Sequence, residues 1–305
     1  MKVASPVLPR ATWRDYVTLT KPKVISLLLL TTVGAMFIAA SGYPGTWPLI
    51  GLLIGGYMSA GAAGVYNMVY DRDIDGRMRR TALRPTVTNV VPTANALAFA
   101  IVLTFLSFVI IWAAGNLLAA LLSWAGIAFY VIVYTMWLKR ATWQNIVIGG
   151  AAGAIPPLVG WAAVTGELSL LAWLLFTLIF MWTPVHFWAL ALMIQHDFEK
   201  VGVPMAPSVI GERATVMQMA MYAVLTVALT VIPFALHEFS VVYLLAALAL
   251  NLVLAVRVTR LFLMANRGVA IDRATALPVY TYSMLYLALL FLAMAIDRAF
   301  FSVAV

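Results

Sequence analysis

Asn67, Asp71 and Asp75 stand four residues apart in the stretch NMVYDRDIDGRMRRTALRP, which sets three carboxylates and five arginines directly after a long apolar segment. A helix turns about 100° per residue, so these three side chains share one face within about 80°, while Asp73 points to the other side. An amide oxygen and two carboxylates at a helix end make a donor set for a hard divalent cation. Mg²⁺ usually takes one or two carboxylates from protein and completes its octahedron with water and phosphate oxygens. The arginines that follow, Arg72, Arg77, Arg79, Arg80 and Arg84, have the forked geometry that grips phosphate. The chemistry indicated is that of a metal-bound phosphate ester.

Two plainer readings compete. Asp71-x-Asp73-x-Asp75-Gly76 also opens like a calcium-binding EF-hand loop, but Ala82 stands at the twelfth position, where a bidentate Glu is required. A solvated loop whose arginines fix topology and whose acids neutralise them needs no alignment at i, i+4 and i+8.

The elements that must position these residues are membrane spans. The chain of 305 residues is 64% hydrophobic and 10% charged, with a mean hydropathy of +1.00, whereas soluble proteins are roughly 25% charged. Nine apolar runs, at about 24–42, 47–69, 93–114, 116–138, 143–165, 169–195, 215–236, 239–263 and 277–296, are each long enough to cross a hydrocarbon core of about 30 Å. The expected organisation is an N-terminal segment 1–23 followed by a single all-α transmembrane domain 24–305, with functional loops at about 70–92 and 196–214. With the N-terminus in the cytoplasm, all of the nineteen basic residues except Arg298 fall on the cytoplasmic side, as the positive-inside rule requires. The C-terminus is then external. The net charge of +8 is thereby topology, and a nucleic-acid surface is excluded. With no cysteine, neither disulfides nor thiolate chemistry is available.

All but Glu167, Glu238 and Asp297 of the eleven acids share that side. A second acidic group, Gln195-His196-Asp197-Phe198-Glu199-Lys200, follows span six as the first follows span two, so the chain reads as two four-helix units plus a ninth helix. The two loops are expected to face each other across a central cavity, each holding a cation on one diphosphate. Lys139 and Arg140 lie at the same membrane face and are placed either to hold the diphosphate or to set topology. His186, beside Pro184 in span six, is either a histidine bonded to a neighbouring helix or a haem ligand or acid–base group; the proline is expected to kink the helix. His196 and His237 are read as solvated. Tyr66, Tyr70, Tyr130, Tyr134 and Trp182 suit either a wall for an isoprenoid chain, shielding a carbocation by cation–π contact, or an interfacial belt. The glycines of spans two and five are expected to serve helix packing.

Asn67-x3-Asp71-x3-Asp75 on nine spans resembles the UbiA superfamily of intramembrane prenyltransferases. The longer pattern, with Met78-x-Arg80-Thr81-x2-Arg84-Pro85, Tyr134-Thr135-x2-Leu138-Lys139-Arg140, Asn145 through Gly153, Pro156-Pro157, His186-Phe187-Trp188 and Gly202-Val203-Pro204-Met205, is similar to its protohaem IX farnesyltransferase branch. It covers roughly two thirds of the chain. The departures are Val185 where a second proline is usual, Phe198 where tyrosine is common, Ala206 where leucine is usual, and Val201, which denies the second loop paired aspartates.

The resemblance implies farnesyl transfer from farnesyl diphosphate to the vinyl group of haem B, giving haem O and diphosphate, with Mg²⁺ as cofactor. It implies Mg²⁺ ligation by Asn67, Asp71, Asp75 and Asp197, with Glu199 as a further candidate, and diphosphate binding by Arg72, Arg80, Arg84, Lys139 and Arg140. His186, Tyr134 and Trp188 fall on the haem side. Expected partners are the lipid bilayer and haem A synthase or the terminal oxidase assembly, in a bacterial cytoplasmic (inner) membrane. Two alternatives stand: a UbiA-type enzyme for another aromatic or tetrapyrrole acceptor, against which Thr81-x2-Arg84-Pro85 and His186-Phe187-Trp188 speak, and a cation-coupled transporter. Transporters usually place their ionisable residues near the bilayer midplane, whereas here charge gathers at one face.

Overall fold

The structure is a computed structural model and describes residues 11–301. Lys2 and Arg10, counted above among the cytoplasmic charges, lie outside the described residues together with the start of segment 1–23. Among the described residues there is no strand, and nine helices are long and apolar enough to cross a membrane. A spanning segment must satisfy its backbone internally, so long apolar runs become helices.

In chain order the elements are α1 (Trp13–Thr20), α2 (Pro22–Ala39), α3 (Thr46–Tyr70), α4 (Arg72–Asp75), α5 (Thr93–Ala114) and α6 (Leu117–Ala128). A π-helical stretch, Phe129–Leu138, and the short α7 (Lys139–Ala141) continue α6. There follow α8 (Asn145–Thr165), α9 (Leu170–Glu199), α10 (Ala206–Ile210), α11 (Glu212–Ala235), α12 (Val241–Asn266) and α13 (Arg273–Phe300). The chain is a multi-pass membrane protein.

Packing follows the two-unit reading. In the first half α3 packs on α2 and α5, and α5 on α6; in the second α9 packs on α8 and α11, and α11 on α12. The halves meet where α2, α6 and the π-helical stretch lie against α8, and α13 joins α9, α12 and α2. Small residues make these approaches possible: a Cβ at Gly51 would stand 2.1 Å from that of Ala114, and one at Gly160 would stand 2.2 Å from the Thr32 carbonyl oxygen.

Three local features depart from the expectations. The N-terminal segment 1–23, for which the sequence indicates no element, holds helix α1, begun by a capping box in which the Asp15 carboxylate accepts from the Thr12 backbone N–H at 2.8 Å and from its hydroxyl at 2.7 Å. Span four is wound as a π-helix through ten residues, a form that usually occurs as single turns at functional sites. In α9 the non-helical residue is Ile194 (φ −130°, ψ 21°) and not one beside Pro184. The break therefore falls directly before Gln195-His196-Asp197 and re-aims the second acidic group. His196 belongs to the last turn of α9, exposed and paired with Glu199 at 3.2 Å.

Candidate active site

Helix α3 runs to Tyr70, and Asp71 caps it. The backbone nonetheless keeps the helical i to i+4 pattern, Asp71 N–H donating to Asn67 O at 2.9 Å and Asp75 N–H to Asp71 O at 2.8 Å. Asn67, Asp71 and Asp75 therefore share a face across the junction with α4, and all three are buried, the two aspartates to 1% exposure. Asp73 turns outward with its side chain 61% exposed.

Burial of a carboxylate demands partners, and the chain supplies them from distant segments. The Asn67 amide nitrogen donates to Asp71 Oδ2 at 2.7 Å and to Thr135 Oγ1 at 3.2 Å. Thr135 sits in the π-helical stretch and its own hydroxyl donates to Tyr130 O, five residues back. The wide winding also delivers Lys139, whose ammonium pairs with Asp71 Oδ2, and Arg84 pairs with Asp75 Oδ2. Arg140 lies 3.7 Å from Asp71 Oδ1, is bonded to Asp73 at 2.7 Å and 2.8 Å, and stacks over Tyr70 at 5.0 Å. That hydrogen bond holds the Asp73 carboxyl below the usual carboxylate range.

The acid-bearing loops meet. Arg77 donates to the Lys200 carbonyl at 3.0 Å and Asn145 to the Pro204 carbonyl at 3.0 Å, while Ile74 and Met78 share a core with Val203 and Met205. Arg80 lies within electrostatic reach of Asp75, Asp197 and Tyr134; burial and Arg84 lower its pKa, and those acids oppose the shift. Arg72, by contrast, turns outward to Thr93 Oγ1 at 3.1 Å. Among the described residues Asp197 forms no ion pair, and no three His, Cys, Asp or Glu side chains cluster closely enough to hold a metal.

The donor set nonetheless fits a hard cation. Its atoms are all oxygens, and buried Asp71 Oδ1 receives no hydrogen bond from any described residue. Lys139 holds Asp71 Oδ2 and Arg84 holds Asp75 Oδ2.

The sequence profile of the UbiA prenyltransferase family matches residues 27–277. The chain belongs to this family. Within it, the chain is similar to the protoheme IX farnesyltransferase of Deinococcus radiodurans, 55% identical over 303 residues and 97% of each chain. It is 60% identical over 289 residues to the protoheme IX farnesyltransferase of Thermus thermophilus, covering 95% of this chain and 46% of the relative, so it spans about half that protein's length. The UbiA fold agrees. A structure of digeranylgeranylglyceryl phosphate synthase superposes with a TM-score of 0.76 at 17% identity, covering 94% of this chain and 98% of the other. A UbiA homologue from Archaeoglobus fulgidus bound to GPP and Mg²⁺ gives 0.66 at 18%, covering 92% and 99%.

On this UbiA scaffold the aromatic candidates divide. Tyr130 and Tyr134 stack at 5.3 Å beside the Asp71 cluster, and both lie within electrostatic reach of Asp71. Gly149 on α8 makes room for Tyr134, because a Cβ there would stand 2.3 Å from the ring. Tyr66 reaches Thr104 at 3.4 Å. His186 and Trp182 lie in the interface of α9 with α13. There the histidine ring is stacked between Trp182 and Tyr280, each 4.7 Å away, with Nδ1 2.8 Å from Ser283 Oγ. Trp188 is fully buried against Trp143 and Tyr222, and its indole N–H has no hydrogen-bond acceptor.

Sequence reasoning missed Lys21. Its backbone is left-handed (φ 59°, ψ 58°) and its ammonium donates to Asn67 Oδ1 at 2.7 Å. Burial, with Arg84 and Lys139 nearby, lowers its pKa to about 7 against the pull of Asp71 and Asp75. One signal was available: Pro22 is pre-set to start a helix and pushes the residue before it out of the right-handed helical region.

Proposed function

We propose that the chain transfers a farnesyl group from farnesyl diphosphate to a vinyl group of haem B, with addition of water, yielding haem O and diphosphate. The observation that carries this reading is the 55% identity to the Deinococcus protoheme IX farnesyltransferase along 97% of both chains, joined to a buried cluster of acids and cations suited to a metal diphosphate. Asn67, Asp71 and Asp75, with Asp197 and then Glu199 from the facing loop, would hold Mg²⁺. When bound, the metal supplies Lewis-acid neutralisation of charge building on the leaving oxygen.

The chain's own residues do the rest. Arg80, Arg84, Lys139 and Arg140, with Arg72 at the rim, bind the diphosphate and stabilise its charge as the allylic carbon–oxygen bond loosens. The stacked faces of Tyr130 and Tyr134 shelter the farnesyl cation by cation–π attraction and keep water from it. The haem vinyl carbon attacks that cation, and water adds to the carbon beside the pyrrole to which the positive charge moves, losing one proton to the released diphosphate to leave the hydroxyl. Tyr134, His186 and Trp188 serve the acceptor side. No step uses a nucleophilic side chain, which suits a chain without cysteine.

The same reading places the N-terminus and the loops at 70–92 and 196–214 in the cytoplasm, the C-terminus outside, and the 24–305 domain in a bacterial inner membrane. Haem A synthase or the assembling terminal oxidase would receive the product. The test is to incubate the purified chain in detergent with farnesyl diphosphate, Mg²⁺ and, separately, haem B or a quinone-ring precursor. Haem B should gain one farnesyl and one hydroxyl group by mass. Prenylation of the quinone precursor alone would instead establish the other acceptor class.

A further inference from the structure

We propose that Lys21 is a diphosphate-binding residue, presented to the site by the left-handed turn between α1 and α2. The inference rests on the reading of this site as one for a prenyl diphosphate and adds a cation from outside the two acidic loops.

The turn is seated for the purpose. A residue with a Cβ is disfavoured at φ 59°, where glycine or asparagine is usual, yet lysine stands there. The turn rests on one stripe of α3. Thr20 Oγ1 lies 2.8 Å from Tyr57 OH, a Cβ at Gly61 would stand 3.1 Å from Thr20 Cβ, and one at Gly64 would stand 3.3 Å from Thr20 O. The next members of that stripe are Asn67 and Asp71, so seating the turn on the glycines aims Lys21 at the metal-ligand candidates.

Its partners are incomplete. Lys139 and Arg84 each pair with a carboxylate. Among the described residues Lys21 forms no ion pair, and its three-donor ammonium meets the neutral amide oxygen of Asn67. Four cations, Lys21, Lys139, Arg84 and Arg140, thus stand among three carboxylates, Asp71, Asp73 and Asp75. Lys21 is the one of the four without an anionic partner, and an arriving anion would give its ammonium the counter-charge it lacks.

The test uses Lys21→Gly and Lys21→Asn, because both residues accept the left-handed backbone and keep the turn, and Lys21→Arg, which keeps the charge. The probe is inorganic diphosphate with Mg²⁺, titrated calorimetrically into the detergent-solubilised full chain. Affinity should fall about ten- to a hundredfold in Lys21→Gly and Lys21→Asn, the range for losing a hydrogen bond to a charged group, with an unchanged or higher thermal midpoint for Lys21→Gly. Lys21→Arg should recover part of the loss. In turnover, KM for farnesyl diphosphate should rise while KM for haem B stays. Unchanged diphosphate affinity in both uncharged variants, or no binding by the wild type, overturns the proposal. Wild-type diphosphate binding without farnesyl transfer would instead defeat the assigned reaction and leave the role of Lys21 standing.

Discussion

Lys139, at the end of the π-helical stretch, pairs with Asp71 across 68 residues of sequence and ties span four to the end of span two. Removing one partner of a buried ion pair leaves the other uncompensated, at a cost of about 3–5 kcal/mol. Lys139→Met should therefore lower the stability of the metal-free protein markedly. Lys139→Met combined with Asp71→Asn should lose less than the sum of the two single changes, as read by denaturant unfolding in detergent.

Arg84 holds Asp75 and stands beside Arg80. Lysine would keep the charge and lose the fork that matches carboxylate and phosphate. Arg84→Lys should reduce kcat on the order of a hundredfold, the loss typical of a removed transition-state donor, with KM for haem B unchanged in steady-state assays.

Gly149 leaves room for the Tyr134 ring, which a Cβ would meet at 2.3 Å. Gly149→Ala should displace that ring and admit water to the farnesyl cation. The expected result is a higher ratio of farnesol to haem O among the products, measured by chromatography. A change in total rate without a change in that ratio would assign Tyr134 to packing.

His186 stands between two aromatic rings with Ser283 at its Nδ1. On the acceptor-side assignment, His186→Ala should raise KM for haem B several-fold without moving KM for farnesyl diphosphate. A fall in the thermal midpoint with both KM values unchanged would identify a packing residue of the interface between α9 and α13.

Spans were legible because hydrophobic length is a local property: the run read as 93–114 is α5, Thr93–Ala114, whereas the polar last turn of α9 carries the helix past the expected 195 to Glu199. The face shared by Asn67, Asp71 and Asp75 was legible because the helical hydrogen-bond pattern survives the cap at Asp71. Residues whose aim depends on winding or backbone sign were not. Nothing in Phe129–Leu138 announces a π-helix, yet that winding sets Thr135 against Asn67. The break at Ile194 carries no proline or glycine to mark it, while helical Pro184 drew attention. Lys21 looked like a topology charge because Pro22 signals only that the residue before it leaves the right-handed helical region, and not that its φ is positive. Arg72 shares its loop with Arg80 and Arg84 but faces Thr93, a rotation that spacing alone does not fix.

If the buried carboxylates at the end of α3 hold the metal that draws the diphosphate away from the prenyl carbon, their loss must stop the reaction. The deciding measurement is haem O formation in Asp71→Asn and Asp75→Asn, each purified as inserted, folded protein and supplied with haem B, farnesyl diphosphate and saturating Mg²⁺. Haem O formation should fall below about a hundredth of the wild-type rate in both variants. Wild-type rates in either one would contradict the metal role of these carboxylates.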